Sequence, residues 1–169
     1  TRRGVPSVHI QWGVPTAIIA GDLLFAKVYT TLAEELRLRG IPPSRIVRVS
    51  GLTANAAVTI CEGQMLDMSF PKLEDLSEED YILMVSKKTS CLFRTAAQVG
   101  SIVGGGTDMQ TQALGSFGDL SGIGFQMVDD VLGLVADEKT LGKPVGSDLQ
   151  EGKKTLPTIH ALHKADNMQ

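Results

Sequence analysis

The sequence predicts an all-α fold, and three observations support this prediction. Long stretches repeat apolar residues at intervals of three and four, as in helices with one buried face. Glycine and proline separate these stretches at positions where helices commonly begin and end. No stretch alternates clearly between apolar and polar residues, as a half-buried strand would. We therefore expect residues 1–169 to form a single domain of long helices.

The first long helix is predicted over residues 14–39, after a loop-like start at residues 1–9. Pro15 suits a first helical turn, and Gly40 followed by two prolines provides a stop. We interpret Asp22 as a polar group partnered at a helix contact and not as a catalytic residue. The apolar pattern predicts a broad buried face made of Ile18, Ile19, Leu23, Val28, Leu32 and Leu36.

The second helix is predicted to begin at Pro43 or Ser44 and to run to about Met68. Near its C-terminal end, Gln64 and Asp67 are three residues apart and therefore share a face. Small residues within its inward stripe favour close packing against a neighbour. That stripe is predicted to contain Val47, Leu52, Ala56, Ile60 and Gly63.

Two further helices complete the pattern. Ser77 is a plausible N-cap with Asp80 at the capping-box position, and the helix that follows should end at the glycines of residues 104–106. Polar residues 87–90 interrupt its middle, and their hydroxyls could bend it by bonding to the preceding turn. The last long helix is predicted from Asp108 or Met109 to about Val135.

Composition excludes several classes of protein. The net charge of −3, without a block of basic residues, argues against a general nucleic-acid binder. The apolar stretch at residues 17–28 is interrupted by Gly21, Asp22 and Lys27, so we predict no membrane span and expect a cytoplasmic protein. The two cysteines, Cys61 and Cys91, predict neither a zinc site nor a disulfide framework, and we expect both to be buried and inert.

The candidate site lies in residues 124–157. On a helix, Gln126 comes three and four residues before Asp129 and Asp130, so these three side chains can lean toward one region. Adjacent carboxylates in an apolar segment need a partner, and oxygen ligands favour a hard cation such as Mg2+. Three lysines on glycine-punctuated backbone then complete a site for a polyanion, most simply a diphosphate: Lys143, Lys153 and Lys154.

Two glycine-containing segments do not match known nucleotide-binding motifs in spacing or in context. Five residues separate Gly146 from Gly152, whereas a P-loop has four between its glycines, and Lys154 follows Lys153 where the motif has Ser or Thr. The glycines at 104–106 lack the preceding strand of a dinucleotide-binding turn. The three histidines lack a paired metal-binding spacing.

At this point the sequence resembles the trans-isoprenyl diphosphate synthases, the polyprenyl synthetase family, of archaeal geranylgeranyl or farnesyl type. The segment GFQMVDDVLG with DEKTLGKPVGSDLQEGKKTLP resembles the family's second aspartate-rich region. Four other blocks occur in the family's order and extend the resemblance over nearly the whole chain: TRRGVPSVH, AIIAGDLLFAKV, GQMLD and KKTSCLF.

The resemblance implies a bundle of helices around a deep apolar cavity, usually in a homodimer. It implies a prenyltransferase that condenses an allylic diphosphate with isopentenyl diphosphate, using Mg2+ to promote departure of the allylic diphosphate. An apolar cavity would shield the resulting allylic cation from water.

The resemblance also assigns roles to individual residues. It makes Asp129 and Asp130 Mg2+ ligands and gives catalytic roles to these two residues, Lys88 and Lys143. Arg3 would contact isopentenyl diphosphate, while Gln64 and Asp67 would line the cavity and tune the site. Asp148 would order the lysine loop. The residues expected to contact the allylic diphosphate are Arg2, Lys88, Thr89, Gln126, Lys143 and Lys153.

Two departures from the family pattern leave alternatives open. Gly133 occupies the position of a frequent third aspartate, for which Asp137 could substitute. The first aspartate-rich motif would precede Thr1, so we expect this chain to be the C-terminal portion of a synthase. A non-catalytic or truncated subunit of a synthase complex is the main alternative, and a class I terpene cyclase is less favoured.

Overall fold

The computed structural model describes residues 5–73, 75–136, 146–150 and 152–166. These residues form helices and no strand, which confirms the predicted all-α class. In chain order the helices are α1 (Val8–Trp12), α2 (Val14–Thr30), α3 (Leu36–Leu38), α4 (Pro43–Ser69), α5 (Glu78–Val85), α6 (Cys91–Val103), α7 (Asp108–Val135), α8 (Ser147–Gln150) and α9 (Leu156–Asp166).

Helices α2 and α3 are joined by a π-helical turn, Thr31–Glu35, so the predicted first helix is confirmed with Leu38 as its last residue. Its predicted buried face is wrong. Ile18, Ile19 and Leu23 are exposed, and no residue of α2 is buried. A helical period reports which face of a helix is apolar, but it does not identify what covers that face. Here the described part of the chain leaves it uncovered.

Segment Val14–Leu38 is long and apolar enough to cross a membrane by length and composition alone, and none of it is buried in this structure. The interior helices of water-soluble proteins satisfy the same criterion. This finding therefore carries little weight beside the interruptions at Asp22 and Lys27.

Helix α4 follows its predicted bounds and packs against α6 and the turn before it. Its buried positions are Val49, Ala56 and Gly63. The predicted stripe is therefore correct at Ala56 and Gly63 but wrong at Val47, which is exposed. The small residues allow the close packing that the sequence predicted.

Helices α5 and α6 form one rod that is interrupted by a π-helical turn, Ser86–Ser90. The predicted capping box is present at its start, where Ser77 Oγ accepts from the Asp80 backbone amide at 3.0 Å. The side-chain hydrogen bond from Ser77 is the main cause that lowers the pKa of Asp80. After α6, Gly105 has a positive φ of 87°, as expected for a glycine that ends a helix.

Helix α7 begins with a second capping box, between Thr107 and Gln110, and packs along α6. The main apolar core lies where α5, α7 and α9 meet. Its buried members are Phe70, Leu76, Tyr81, Met84, Val85 and Ile159. This core supports the cavity described below.

Candidate active site

A cavity of about 140 Å3 lies above this core and gathers residues that are far apart in sequence. Helix α4 contributes Asp67, α7 contributes Gln126, Asp129 and Asp130, and the segment before α9 contributes Lys153. The other lining residues come from the α5 rod, its π turn and the segment before α9: Tyr81, Met84, Val85, Lys88, Thr89, Lys154 and Thr155.

The π turn places Lys88 and Thr89 on the cavity wall. Such turns carry one extra residue within a helix and often occur at functional sites. The polar residues here predicted a bend through hydroxyl bonds to the preceding turn, and this predicted cause is wrong. The Thr89 hydroxyl instead donates to Gln126 Oε1 at 3.0 Å, and the Ser90 hydroxyl donates to the Asp119 carboxylate at 2.6 Å. Both bonds tie the turn to α7.

Glycines allow α4 and α7 to approach this turn closely. A Cβ atom on Gly63 would lie 2.4 Å from the Lys88 backbone nitrogen, and one on Gly122 would lie 2.6 Å from Ser90 Cα. Both neighbours are backbone atoms, which cannot rotate away. Gly63 is the first residue of the GQMLD block, so its small size explains why that block begins with glycine.

Lys88 forms an ion pair across the cavity with Asp67. The Nζ–Oδ2 distance is 2.5 Å, and both side chains are partly exposed. Because water screens such a pair, its main effect is to orient Lys88 and to offset its charge. Asp67 is thus the ion-pair partner of Lys88. The predicted role of Asp67 in tuning the site stays a prediction.

Asp130 is the buried member of the adjacent carboxylates, with 7% of its surface exposed. Its Oδ2 accepts from the Tyr81 hydroxyl at 2.6 Å, and its Oδ1 accepts from Gln126 Nε2 at 2.9 Å. Burial, followed by the hydrogen bond to Asp130, raises the pKa of Tyr81 well above its ordinary value. Tyr81 therefore keeps its proton and acts as a donor at neutral pH.

Asp129 lines the same cavity and is only half-buried. Carboxylates and amide oxygens are ligands that suit Mg2+, which commonly binds one or two carboxylates together with water and phosphate oxygens. Within the described residues no group of three His, Cys, Asp or Glu side chains forms a complete metal cage. The donors that are present therefore suit a metal shared with a phosphate-bearing ligand.

The described lining residues balance in charge. Three of them are carboxylates, Asp67, Asp129 and Asp130, and three are lysines, Lys88, Lys153 and Lys154. Lys154 Nζ also donates to the Leu73 backbone carbonyl. A lining with no excess positive charge would bind a diphosphate poorly by itself. Divalent cations would supply the missing positive charge.

The structure brings six of the predicted site residues to one cavity: Lys88, Thr89, Gln126, Asp129, Asp130 and Lys153. Asp67 lines the cavity as predicted, but Gln64 does not, so that part of the prediction is wrong. Arg2, Arg3, Asp137 and Lys143 lie outside the described residues, as does the side chain of Asp148.

Tyr81 is a lining residue for which the sequence predicted no role. A buried tyrosine usually gives its hydroxyl a partner, which was the available signal. The partner itself, 49 residues away, could not be identified from the sequence.

The fold and the cavity together define an all-α helical bundle with a cavity lined by both carboxylates and lysines. A family model described as polyprenyl synthetase matches residues 1–169. The chain belongs to this family, as the resemblance indicated.

Individual relatives agree with this assignment. The geranylgeranyl diphosphate synthase of Sulfolobus acidocaldarius is 45% identical over 161 residues, which cover 95% of this chain and 48% of that protein. The geranylfarnesyl diphosphate synthase of Aeropyrum pernix is 40% identical, over 97% of this chain and 51% of that protein. The crystal structure of geranylgeranyl pyrophosphate synthetase from Pyrococcus horikoshii aligns with a TM-score of 0.84 at 48% identity, over 95% and 48% of the two chains. The chain thus spans about half the length of these relatives.

Proposed function

We propose that the protein containing this chain is a trans-prenyltransferase that condenses an allylic diphosphate with isopentenyl diphosphate. The observation that carries the proposal is the convergence of Lys88, Thr89, Gln126, Asp129 and Lys153 on one cavity above an apolar core. Family membership supplies the reaction class, because relatives with this region are named as geranylgeranyl and geranylfarnesyl diphosphate synthases.

In the proposed reaction the allylic C–O bond breaks and diphosphate leaves with the electron pair. The allylic carbon then bonds to the isopentenyl double bond, and loss of a proton, which the released diphosphate accepts, restores a double bond. Negative charge accumulates on the leaving diphosphate during the first step. Groups that stabilise this charge more strongly in the transition state than in the ground state accelerate the reaction.

The residues of this chain have distinct proposed roles in that step. Lys88, Thr89 and Lys153 bind and orient the diphosphate through cationic and hydroxyl donors. Asp129 and Asp130 form the acidic wall at which Mg2+ would be held, and the metal would supply positive charge that offsets the charge on the leaving diphosphate. The apolar side chains of Met84 and Val85 keep water from part of the cavity wall.

We also propose the finer properties that the resemblance implies. These are a cytoplasmic homodimer, Mg2+ as the cofactor, and a geranylgeranyl or farnesyl product. Arg2, Arg3 and Lys143 are proposed to contact the two diphosphates.

Substitution of Asp129 tests the proposed function. In the complete native protein, we expect Asp129→Ala to lower the rate of prenyl transfer by at least about a hundredfold, because it removes a metal ligand that acts on transition-state charge. The measurement is incorporation of radiolabelled isopentenyl diphosphate into prenyl product at saturating Mg2+.

Asp108→Ala is the matched control, since Asp108 is an aspartate at the opposite end of α7, about 30 Å away by the helical rise. It is largely exposed and pairs with Arg48 at the surface. We expect nearly unchanged transfer for this variant. Near-normal activity of Asp129→Ala, with the control also active, would refute the proposed role of the acidic wall.

A further inference from the structure

The two adjacent aspartates have different surroundings. Asp130 is buried, and each of its carboxylate oxygens accepts a hydrogen bond from a protein side chain. Asp129 is half-buried and lines the cavity. A carboxylate oriented by two protein donors is less free to turn toward an added ligand than one that borders open space.

Asp130 is also part of a continuous series of hydrogen bonds that begins at Tyr81 and ends at Thr89 in the π turn. Tyr81 donates to Asp130, Gln126 Nε2 donates to Asp130, and the Thr89 hydroxyl donates to Gln126 Oε1. We call this series the Tyr81–Thr89 hydrogen-bond chain. Its order fixes the amide orientation, because the Gln126 nitrogen must face the carboxylate and its oxygen must face the hydroxyl.

We propose that Tyr81 and Asp130 are positioning residues that orient Gln126 and Thr89 through this hydrogen-bond chain, while Asp129 is the carboxylate that contacts the metal. The inference rests on the proposed function and divides the roles within the same site. It reassigns Asp130, for which the resemblance implied direct metal contact, and adds Tyr81, for which the sequence predicted no role.

The physical basis is the cost of moving Asp130. Turning its carboxylate toward a metal would strain or break the bonds from Tyr81 and Gln126 in a buried environment, where unmade hydrogen bonds are expensive. Asp129 lines the cavity and has no comparable pair of donors among the described contacts.

The first test measures binding of Mn2+ alone to the complete native protein by electron paramagnetic resonance. We expect Asp129→Asn to weaken Mn2+ binding by at least about tenfold, and Tyr81→Phe to change it by less than about twofold. Tyr29→Phe is the matched control, because it removes the same hydroxyl from the tyrosine on α2, and it should change nothing. Weakening by Tyr81→Phe as large as that by Asp129→Asn would overturn the division of roles.

The second test measures binding of inorganic pyrophosphate, at fixed Mg2+, in a double-mutant cycle of Tyr81→Phe and Thr89→Val. We expect each single substitution to weaken pyrophosphate binding by about threefold or more. The double variant should bind pyrophosphate no more weakly than the single variant with the lower affinity, because both substitutions break the same hydrogen-bond chain. A tyrosine that served only general stability would give independent effects that multiply. Multiplying effects would therefore overturn the proposal.

These two measurements separate this inference from the proposed function. Unchanged Mn2+ binding in Asp129→Asn would count against the acidic wall itself and hence against both. If Asp129→Asn weakens Mn2+ binding but the two substitutions of the cycle have independent effects, only the positioning role of Tyr81 and Asp130 is refuted. If circular dichroism finds Tyr81→Phe unfolded, Asp130→Asn replaces it in the same cycle with the same expected outcomes.

Discussion

Single residues in this site are defined by their partners more than by their type. Lys88 is one of several lysines in the sequence, but its pairing with Asp67 fixes where its ammonium group lies. Asp129 and Asp130 are identical in chemistry and adjacent in sequence, yet one lines the cavity and the other is buried. The next residue along a helix points about 100° away, which is enough to separate two roles.

The cysteines give a prediction at the residue scale. The sequence predicted that both are buried, and this is wrong for Cys61, which is exposed, while Cys91 is fully buried. Burial is the main cause that raises the pKa of the Cys91 thiol; Arg94 partly opposes this shift, and Asp119 adds to it. Because the thiolate is the reactive form, we expect Cys91 in this chain to react with Ellman's reagent at least about tenfold more slowly than Cys61.

The assay follows thiol release at neutral pH in the native chain and in denaturant, where both thiols should react rapidly. Cys61→Ser should remove the fast phase and leave the slow one. Two native thiols that react at equal rates would contradict the described burial.

At the scale of elements, close helix packing positions the site. Helices α4 and α7 both approach the π turn through glycine, at Gly63 and Gly122. The turn is therefore held between two backbones and tied to α7 through Thr89 and Ser90. This arrangement explains how an irregular turn can present Lys88 and Thr89 in a fixed direction.

Gly122→Ala tests this packing. We expect it to lower the free energy of unfolding by about 1–3 kcal/mol, because the added methyl group would overlap the Ser90 backbone. The measurement is chemical denaturation followed by circular dichroism. Displacement of the turn should also weaken pyrophosphate binding in the complete protein.

Gly124→Ala is the matched control on the same helix, since a Cβ there would meet no atom within 4 Å. Replacing a helical glycine by alanine at an open position should be neutral or stabilise by about 0.5–1 kcal/mol. Equal destabilisation by both substitutions would contradict the packing explanation.

At the scale of the whole molecule, the main feature is a large exposed apolar surface. Helix α2 exposes Ile19 (66%) and Leu24 (69%), and α7 exposes Phe117 and Leu120 among others. Such extended apolar surface associates readily with other apolar surface in water. We therefore expect these 169 residues, prepared alone, to self-associate as concentration rises and to bind a hydrophobic dye.

Light scattering coupled to size-exclusion chromatography measures this association. Ile19→Gln with Leu24→Gln should reduce it, because the pair removes exposed apolar area from α2. Val47→Gln is the control, since Val47 is equally exposed but lies on α4. A monomer at every concentration tested would contradict the expectation.

The sequence by itself determined the helical class, most helix limits and the identity of the candidate site. Periodicity, capping residues and helix stops are local, so the limits of α4 and α7 and the capping box at Ser77 could be predicted. Residues three and four apart on one helix share a face, so Gln126 and the two aspartates could be grouped.

Only the tertiary structure decided which groups meet and which apolar faces are covered. The partnership of Tyr81 with Asp130, the ion pair of Lys88 with Asp67 and the approach of Gly122 to the π turn all join distant segments. The exposure of α2 likewise depends on what packs against it. The physical reason is that local sequence sets a backbone's conformation and polarity, whereas packing between elements sets the direction and distance at which side chains meet.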